Sequence, residues 1–155
     1  MNDDLGKKAE AKIKEWLDRP EDGYCFDRLP DQMTGFYGSS NICDFILFRA
    51  PYFYYLESKA TWADRFDFSS ITDYQYTHMV AKSAIRGVYC YVVVLFATHQ
   101  RAFLLDIRDI KQAKENGIKS LNIKKIDKWP TPYQEIKTIS SRKMLLDYAK
   151  EDNVL

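Results

Sequence analysis

The chain has 155 residues, 46% of them hydrophobic and 15% aromatic, enough to bury one core and well outside the composition of disordered chains. Lys and Arg number 23 against 22 for Asp and Glu, so bulk charge marks neither a nucleic-acid nor a membrane partner, and any basic surface has to come from local clustering. Three scattered cysteines, Cys25, Cys43 and Cys90, none in a CxxC pair, speak against a disulfide framework or a zinc site. No apolar run approaches the about 18 residues of a membrane span, and the polar start MNDDLGKKAE is no signal peptide. The expectation is a single domain over residues 1–155, soluble and cytoplasmic.

In chain order, Leu5, Ala9, Ile13, Trp16 and Leu17 form one apolar stripe at helical spacing, with Asp3 or Asp4 as cap and DRPEDG as the stop. A short strand is expected at YCFDRL, followed by the polar loop PDQMTGFYGSSN. ICDFILF and YFYYLESK read as a β-hairpin turning at RAPY. The segment ATWADRFDF reads as a loop. Ser70 and Asp73 signal the start of a helix running through Ile85 and stopped by Gly87, with Tyr76, Met79, Val80 and Ser83 as its stripe. VYCYVVVLF, nearly continuous in β-branched and aromatic residues, is the pattern of a central strand covered on both faces. ATHQ turns into a second strand, RAFLLDI, and a helix near DIKQAKEN closes on Gly117. Two weak strands, LNIKKI and YQEIKTI, and a helix starting at Ser140 or Ser141 complete the chain. This order is not the regular alternation of a doubly wound fold, and a mixed central β-sheet flanked by helices fits it.

The hairpin carries the chemistry. Pairing Phe48 with Phe53 sets Asp44 directly opposite Glu57, and directly opposite residues share a face. Lys59, two residues on from Glu57, lies on that face too. Two charges on a strand face are costly to bury unless paired or bound. A carboxylate pair with an ammonium on a rigid sheet suits Mg²⁺, which takes hard oxygen ligands and keeps several waters, and Mn²⁺ is expected to substitute. The chemistry indicated is metal-assisted phosphodiester hydrolysis, with Lys59 orienting the attacking water or neutralising the scissile phosphate.

These residues resemble a known family. Asp44, Glu57 and Lys59, spaced D-x12-E-S-K, look like the PD-(D/E)xK nuclease motif. The element order resembles that superfamily's restriction-endonuclease-like αβββαβ core. More specifically, GKKAEAKI, ICDFILFRAPYFYYLESKAT, FSSITDYQYTHM, GVYCYVVVLFATHQRAFLLDIRDI and KSLNIKKI resemble successive segments of the RecU-type Holliday junction resolvases, over most of the chain. The resemblance implies catalytic assistance from an acidic residue of the first helix, here Glu10, and from a glutamine after the hairpin, here Gln75. It also implies branched DNA as partner and the host cytoplasm as location if the protein is phage-encoded. The loop before Asp44 is shorter than the family's usual stalk, and the net charge is lower than its basic norm.

Alternative readings stand beside these. Glu10 borders the apolar stripe and either reaches a metal or pairs with Lys14 at i+4. Gln75 either touches a metal-bound water or phosphate or serves as a capping or core-edge amide. Arg108, Lys111, Lys114, Lys119, Lys124, Lys125 and Lys128 crowd one segment, with Arg142 and Lys143 beyond it; they read equally as phosphate contacts or as a solvated face. Tyr37 and Ser39 in the TGFYGSSN loop suit contact with a DNA backbone or branch point. His78 and His99 are too few and too scattered for a histidine-based hydrolase site, and Cys43 is expected to pack in the core. The expected function is a Mg²⁺-dependent, homodimeric endonuclease resolving four-way DNA junctions. A nuclease of the same superfamily with a restriction or repair target, and a non-catalytic DNA-binding or scaffold protein, are the alternatives.

Overall fold

The computed structural model describes residues 2–18, 20–30, 41–131 and 133–136. Helix α1 (Asn2–Leu17) is followed by strands β1 (Tyr24–Arg28), β2 (Phe45–Arg49), β3 (Tyr52–Thr61) and the short β4 (Arg65–Asp67). A 3-10 turn at Phe68–Ser70 leads into α2 (Asp73–Ser83) and β5 (Val88–Phe96). Then come β6 (Arg101–Asp106), α3 (Ile107–Glu115), β7 (Ser120–Asn122), a 3-10 stretch at Ile123–Lys128 and β8 (Gln134–Ile136).

Six strands form one sheet in the order β1-β2-β3-β5-β6-β8, antiparallel at every step except the parallel pair β3–β5. That parallel step is where α2 crosses over, so the αβββαβ order expected from the sequence is the order found, apart from β4. Each face of the sheet has its own core. On one, Ile13 and Leu17 of α1 pack on Phe45, Leu47, Tyr54, Leu56, Tyr91 and Val93. On the other, Met79 of α2 and Ile110 and Ala113 of α3 belong to the same core as Cys90, Val92, Val94, Phe103 and Leu105. Successive residues of β5 therefore feed opposite cores, which is why VYCYVVVLF lacks the alternation of a half-exposed strand.

Several expectations need correction. ATWADRFDF is not all loop: Arg65–Asp67 pairs antiparallel with β7 in a separate two-stranded sheet. LNIKKI forms a strand only through Asn122, whose side chain accepts the Lys124 N–H (3.0 Å) and starts a 3-10 stretch. Such local side-chain capture of the backbone competes with extension of the ladder. Thr72, not Ser70, caps α2. Its hydroxyl accepts the Gln75 N–H (3.1 Å), while the Gln75 side chain accepts the Thr72 N–H (3.3 Å), a complete capping box. The helix itself ends at Ser83, and Ala84 and Ile85 close it with tighter three-residue hydrogen bonds to Ala81 and Lys82. Gly117 does terminate α3: at φ 82° it takes the left-handed conformation that lets Ile118 N–H return to the Ala113 carbonyl (2.9 Å). The helix expected from Ser140 or Ser141 lies outside the described residues, as do Tyr37, Ser39, Arg142 and Lys143.

Candidate active site

The β2–β3 register is Phe48 with Phe53 and Phe45 with Leu56, as the hairpin pattern required. Asp44 lies one step beyond the last ladder pair, its N–H bonded to the Leu56 carbonyl (3.1 Å) and its own carbonyl accepting from Leu29 (2.7 Å). It therefore stands opposite Glu57, fixed from both neighbouring strands. Past this point β3 continues to Thr61 beside β5 alone, with Glu57 opposite Val92 and Lys59 opposite Val94. The loss of β2 as a neighbour opens the sheet on one side of β3 where the charged residues lie. Strand alternation places Glu57 and Lys59 on the face that β5 shares with α2, and Phe45 and Leu56 on the α1 face.

Burial dominates the electrostatics. Glu57 is only 4% exposed. Desolvation, followed by the charge of Asp44, pushes its carboxyl up to about 8, against the opposing pull of Lys59 and a hydrogen bond from Gln75. Burial also raises Asp44, opposed by the Ser58 N–H that donates to Oδ2 (2.8 Å) and by the positive fields of Arg28 and Lys59. The Lys59 ammonium stands 3.3 Å from Glu57 Oε1. Glu57 Oε2 is buried with no hydrogen-bond partner.

A cation is the natural complement of that arrangement. Among the described residues no group of three or more His, Cys, Asp and Glu side chains is disposed to hold a metal. Two adjacent carboxylates, one carrying an unused buried oxygen, nevertheless fit an ion that binds one or two protein carboxylates and completes its shell with water and phosphate. Zinc's closed tetrahedral set of nitrogen and sulfur ligands is not present there.

Gln75 is the capping amide of α2 through its backbone N–H and side-chain oxygen, and its side chain also donates to Glu57. Glu10 has a partner that neither reading foresaw: its Oε2 accepts from Arg28 Nε (2.9 Å) and Nη2 (2.5 Å). Arg28, the last residue of β1, also donates to the Leu29 carbonyl, lies over the Phe45 ring at 6.0 Å and lowers Asp44 through its charge. Sequence reasoning missed this residue. The available signal was the basic end of the YCFDRL strand, but sixteen intervening residues between β1 and β2 left that strand without a register. Of the basic segment, Lys124 pairs with Asp64 (2.9 Å), Lys111 with Glu115 (2.5 Å) and Arg108 with Asp106 (2.6 Å). Lys124 and Lys125 stand exposed in the 3-10 stretch after β7, on a different strand pair from the carboxylates. Cys43 is buried, as expected.

The family profile described as recombination protein U, RecU, matches residues 28–151, which include the whole β2–β3 hairpin and α2. The chain belongs to the RecU family. RecU proteins are Holliday junction resolvases, so this member is an endonuclease that resolves four-way DNA junctions, and nothing favours a restriction target or a non-catalytic role. Among solved structures the chain is similar to Hjc, a Holliday junction resolvase from the archaeal hyperthermophile Archaeoglobus fulgidus. The identity is 11% and the TM-score 0.44, over 69% of this chain and 78% of that one. No curated protein sequence matches the chain. Among the described residues of this RecU member, no helix is long and apolar enough to cross a membrane.

Proposed function

We propose that this RecU member cuts four-way junctions with a divalent cation held by Asp44 and Glu57, Mg²⁺ by preference and Mn²⁺ as a substitute. The observation that carries the assignment is the buried, unpartnered Glu57 Oε2 beside Asp44. When bound, the cation polarises the scissile phosphate and makes water a stronger nucleophile. The chain's own residues prepare the site. The Ser58 N–H fixes the orientation of the Asp44 carboxylate. Lys59, held at 3.3 Å from Glu57, offers a compact ammonium to the attacking water or to the non-bridging phosphate oxygens. Gln75, which closes the α2 capping box, also hydrogen-bonds the Glu57 carboxyl.

Glu10 assists indirectly. By gripping Arg28 it keeps a guanidinium beside Asp44, so its contribution is to position charge and not to touch the reacting atoms. A four-way junction is close to two-fold symmetric and needs two matched cuts, so the working assembly is a homodimer. A DNA substrate puts the enzyme in the cytoplasm.

Asp44→Asn tests the assignment. It removes one metal ligand while lowering the repulsion of phosphate. Cleavage of a synthetic four-way junction in Mg²⁺ should be abolished, while binding in Ca²⁺ or EDTA is retained or tighter. Cleavage at the wild-type rate by the Asn variant refutes the metal site. Failure of the wild type to cut any branched or linear DNA with Mg²⁺ or Mn²⁺ refutes catalysis altogether.

A further inference from the structure

Three residues beyond Lys59, the chain places Trp62 in solvent. Its 59% exposure makes it the most exposed large hydrophobic side chain among the described residues. Exposure of an indole is ordinary on a mobile segment, but this backbone is fixed. Its carbonyl accepts from Thr98 Oγ1 (2.8 Å), the adjacent Thr61 carbonyl accepts from Ala97 N–H (2.9 Å), and Thr61 Oγ1 accepts from Ala63 N–H (3.0 Å). Two residues on, Asp64 is clamped three ways: by His99 Nε2 (2.6 Å), by Lys124 Nζ (2.9 Å) and through its carbonyl by Ile123 N–H (2.9 Å). A segment tied to the β5–β6 turn and to the 3-10 stretch after β7 thus holds up one bare aromatic ring.

A second ring lies at the same end of the sheet. α2 runs back from the end of β3 toward the start of β5, so its first turn stands beside the strand end that carries Lys59 and Trp62. Tyr74, 41% exposed, is in that turn and immediately precedes Gln75, the residue that donates to Glu57. Its ring is braced against His78 with centroids 4.1 Å apart. Trp62 thus follows Lys59 by three residues on a fixed backbone, and Tyr74, its ring backed by His78, adjoins Gln75, so both exposed rings belong to the segments that carry the charged site.

We propose that Trp62, with Tyr74 as the second ring, is a stacking platform for a base unstacked at the branch point next to the scissile phosphate. This rests on the reading of Asp44, Glu57 and Lys59 as the site of cleavage. In continuous duplex every base is stacked on its neighbours and presents no free face; at a branch that continuity is broken. A rigid exposed indole takes a base face without regard to its sequence and without an ordering cost of its own. The platform accordingly selects branched over linear DNA, whereas the carboxylates and Lys59 act on any phosphodiester. Ala63, next in the chain, and Thr98, bonded to the Trp62 carbonyl, are exposed and small or polar, unlike the large apolar neighbours that a protein partner buries.

Trp62→Ala, Trp62→Phe and Tyr74→Ala in the full chain test this, with binding of a four-way junction and of a linear duplex measured in Ca²⁺ and cleavage in Mg²⁺. Trp62→Ala should weaken junction binding about 5- to 100-fold, the range of one lost base stack, and change duplex binding by less than about twofold. Trp62→Phe should recover most of the loss, and Tyr74→Ala should give a smaller junction-specific loss. Junction binding should quench part of the tryptophan emission of the wild type, and that part should be lost in Trp62→Phe. Equal losses on both DNAs, or none on the junction, overturn the platform even while the wild type cuts junctions normally. So does a Trp62→Ala variant that sediments as a smaller species than the wild type, because the ring then belongs to a protein interface. A wild type that neither binds nor cuts the junction overturns the platform and the underlying reading together.

Discussion

Replacing Glu57 by Gln should stabilise the metal-free protein, and the gain should grow with pH. In the folded chain the Glu57 carboxyl keeps its proton up to about pH 8, whereas the ordinary value is 4.5. Between those values the folded state binds the extra proton, so folding stability falls as pH rises through the window. Below it both states are protonated and the group contributes nothing; above it the loss is complete. At about 1.4 kcal/mol per pH unit the full loss is on the order of 5 kcal/mol, and at about pH 7 it is on the order of 3 kcal/mol. Glutamine keeps the shape and carries no charge to desolvate beside Asp44, but it gives up the Lys59 ion pair, so the net gain is smaller than the full loss. Urea unfolding in EDTA, at about pH 4.5 and about pH 8.5, should show wild type and Glu57→Gln close together at the lower pH and the variant at least about 2 kcal/mol more stable at the higher. For a domain of this size about 2 kcal/mol corresponds to a rise in Tm of about 4–8 °C. Mg²⁺ should then stabilise the wild type more than the variant, because it binds the folded carboxylate pair. A variant less stable than the wild type at the higher pH, or a gap independent of pH, refutes the account of a carboxyl held at the cost of stability.

Lys59→Ala and Lys59→Arg should both fold and bind junctions but cut about 10²–10³ times more slowly, because the wider planar guanidinium cannot take the place of a compact ammonium; an Arg variant cutting at the wild-type rate in a single-turnover assay reduces Lys59 to a counter-charge for Glu57. Glu10→Gln and Arg28→Ala should be non-additive, the double variant cutting hardly more slowly than Arg28→Ala alone, since Glu10 acts by holding Arg28. Additive losses in that cycle, or a Glu10→Gln variant that needs much more Mg²⁺ with Arg28 absent as well as present, would make Glu10 a metal ligand instead.

The local patterns were enough to define the secondary structure that carries the site. Period-two alternation and the RAPY turn specify the hairpin register, because a one-residue slip would send Phe45, Leu47, Tyr54 and Leu56 out of their core. That register alone brings Asp44 to Glu57 and puts Lys59 on the same face. The unbroken apolar run of β5 likewise announces a strand covered twice, and Gly117 the end of α3. What the tertiary structure decided depends on contacts between segments far apart in the chain. Only the packing of α1 against the sheet brings Glu10 to Arg28, and only the β1–β2 pairing sets Arg28 near Asp44. The weak strands divided for the same reason: Ser120–Asn122 found a partner in Arg65–Asp67 and left the main sheet, which neither segment's own pattern encodes. The raised Glu57 carboxyl is decided in the same way. A glutamate's tendency to hold its proton is set first by the water removed from around it and then by the charge of Asp44, and both arise only when distant segments of the chain are packed together.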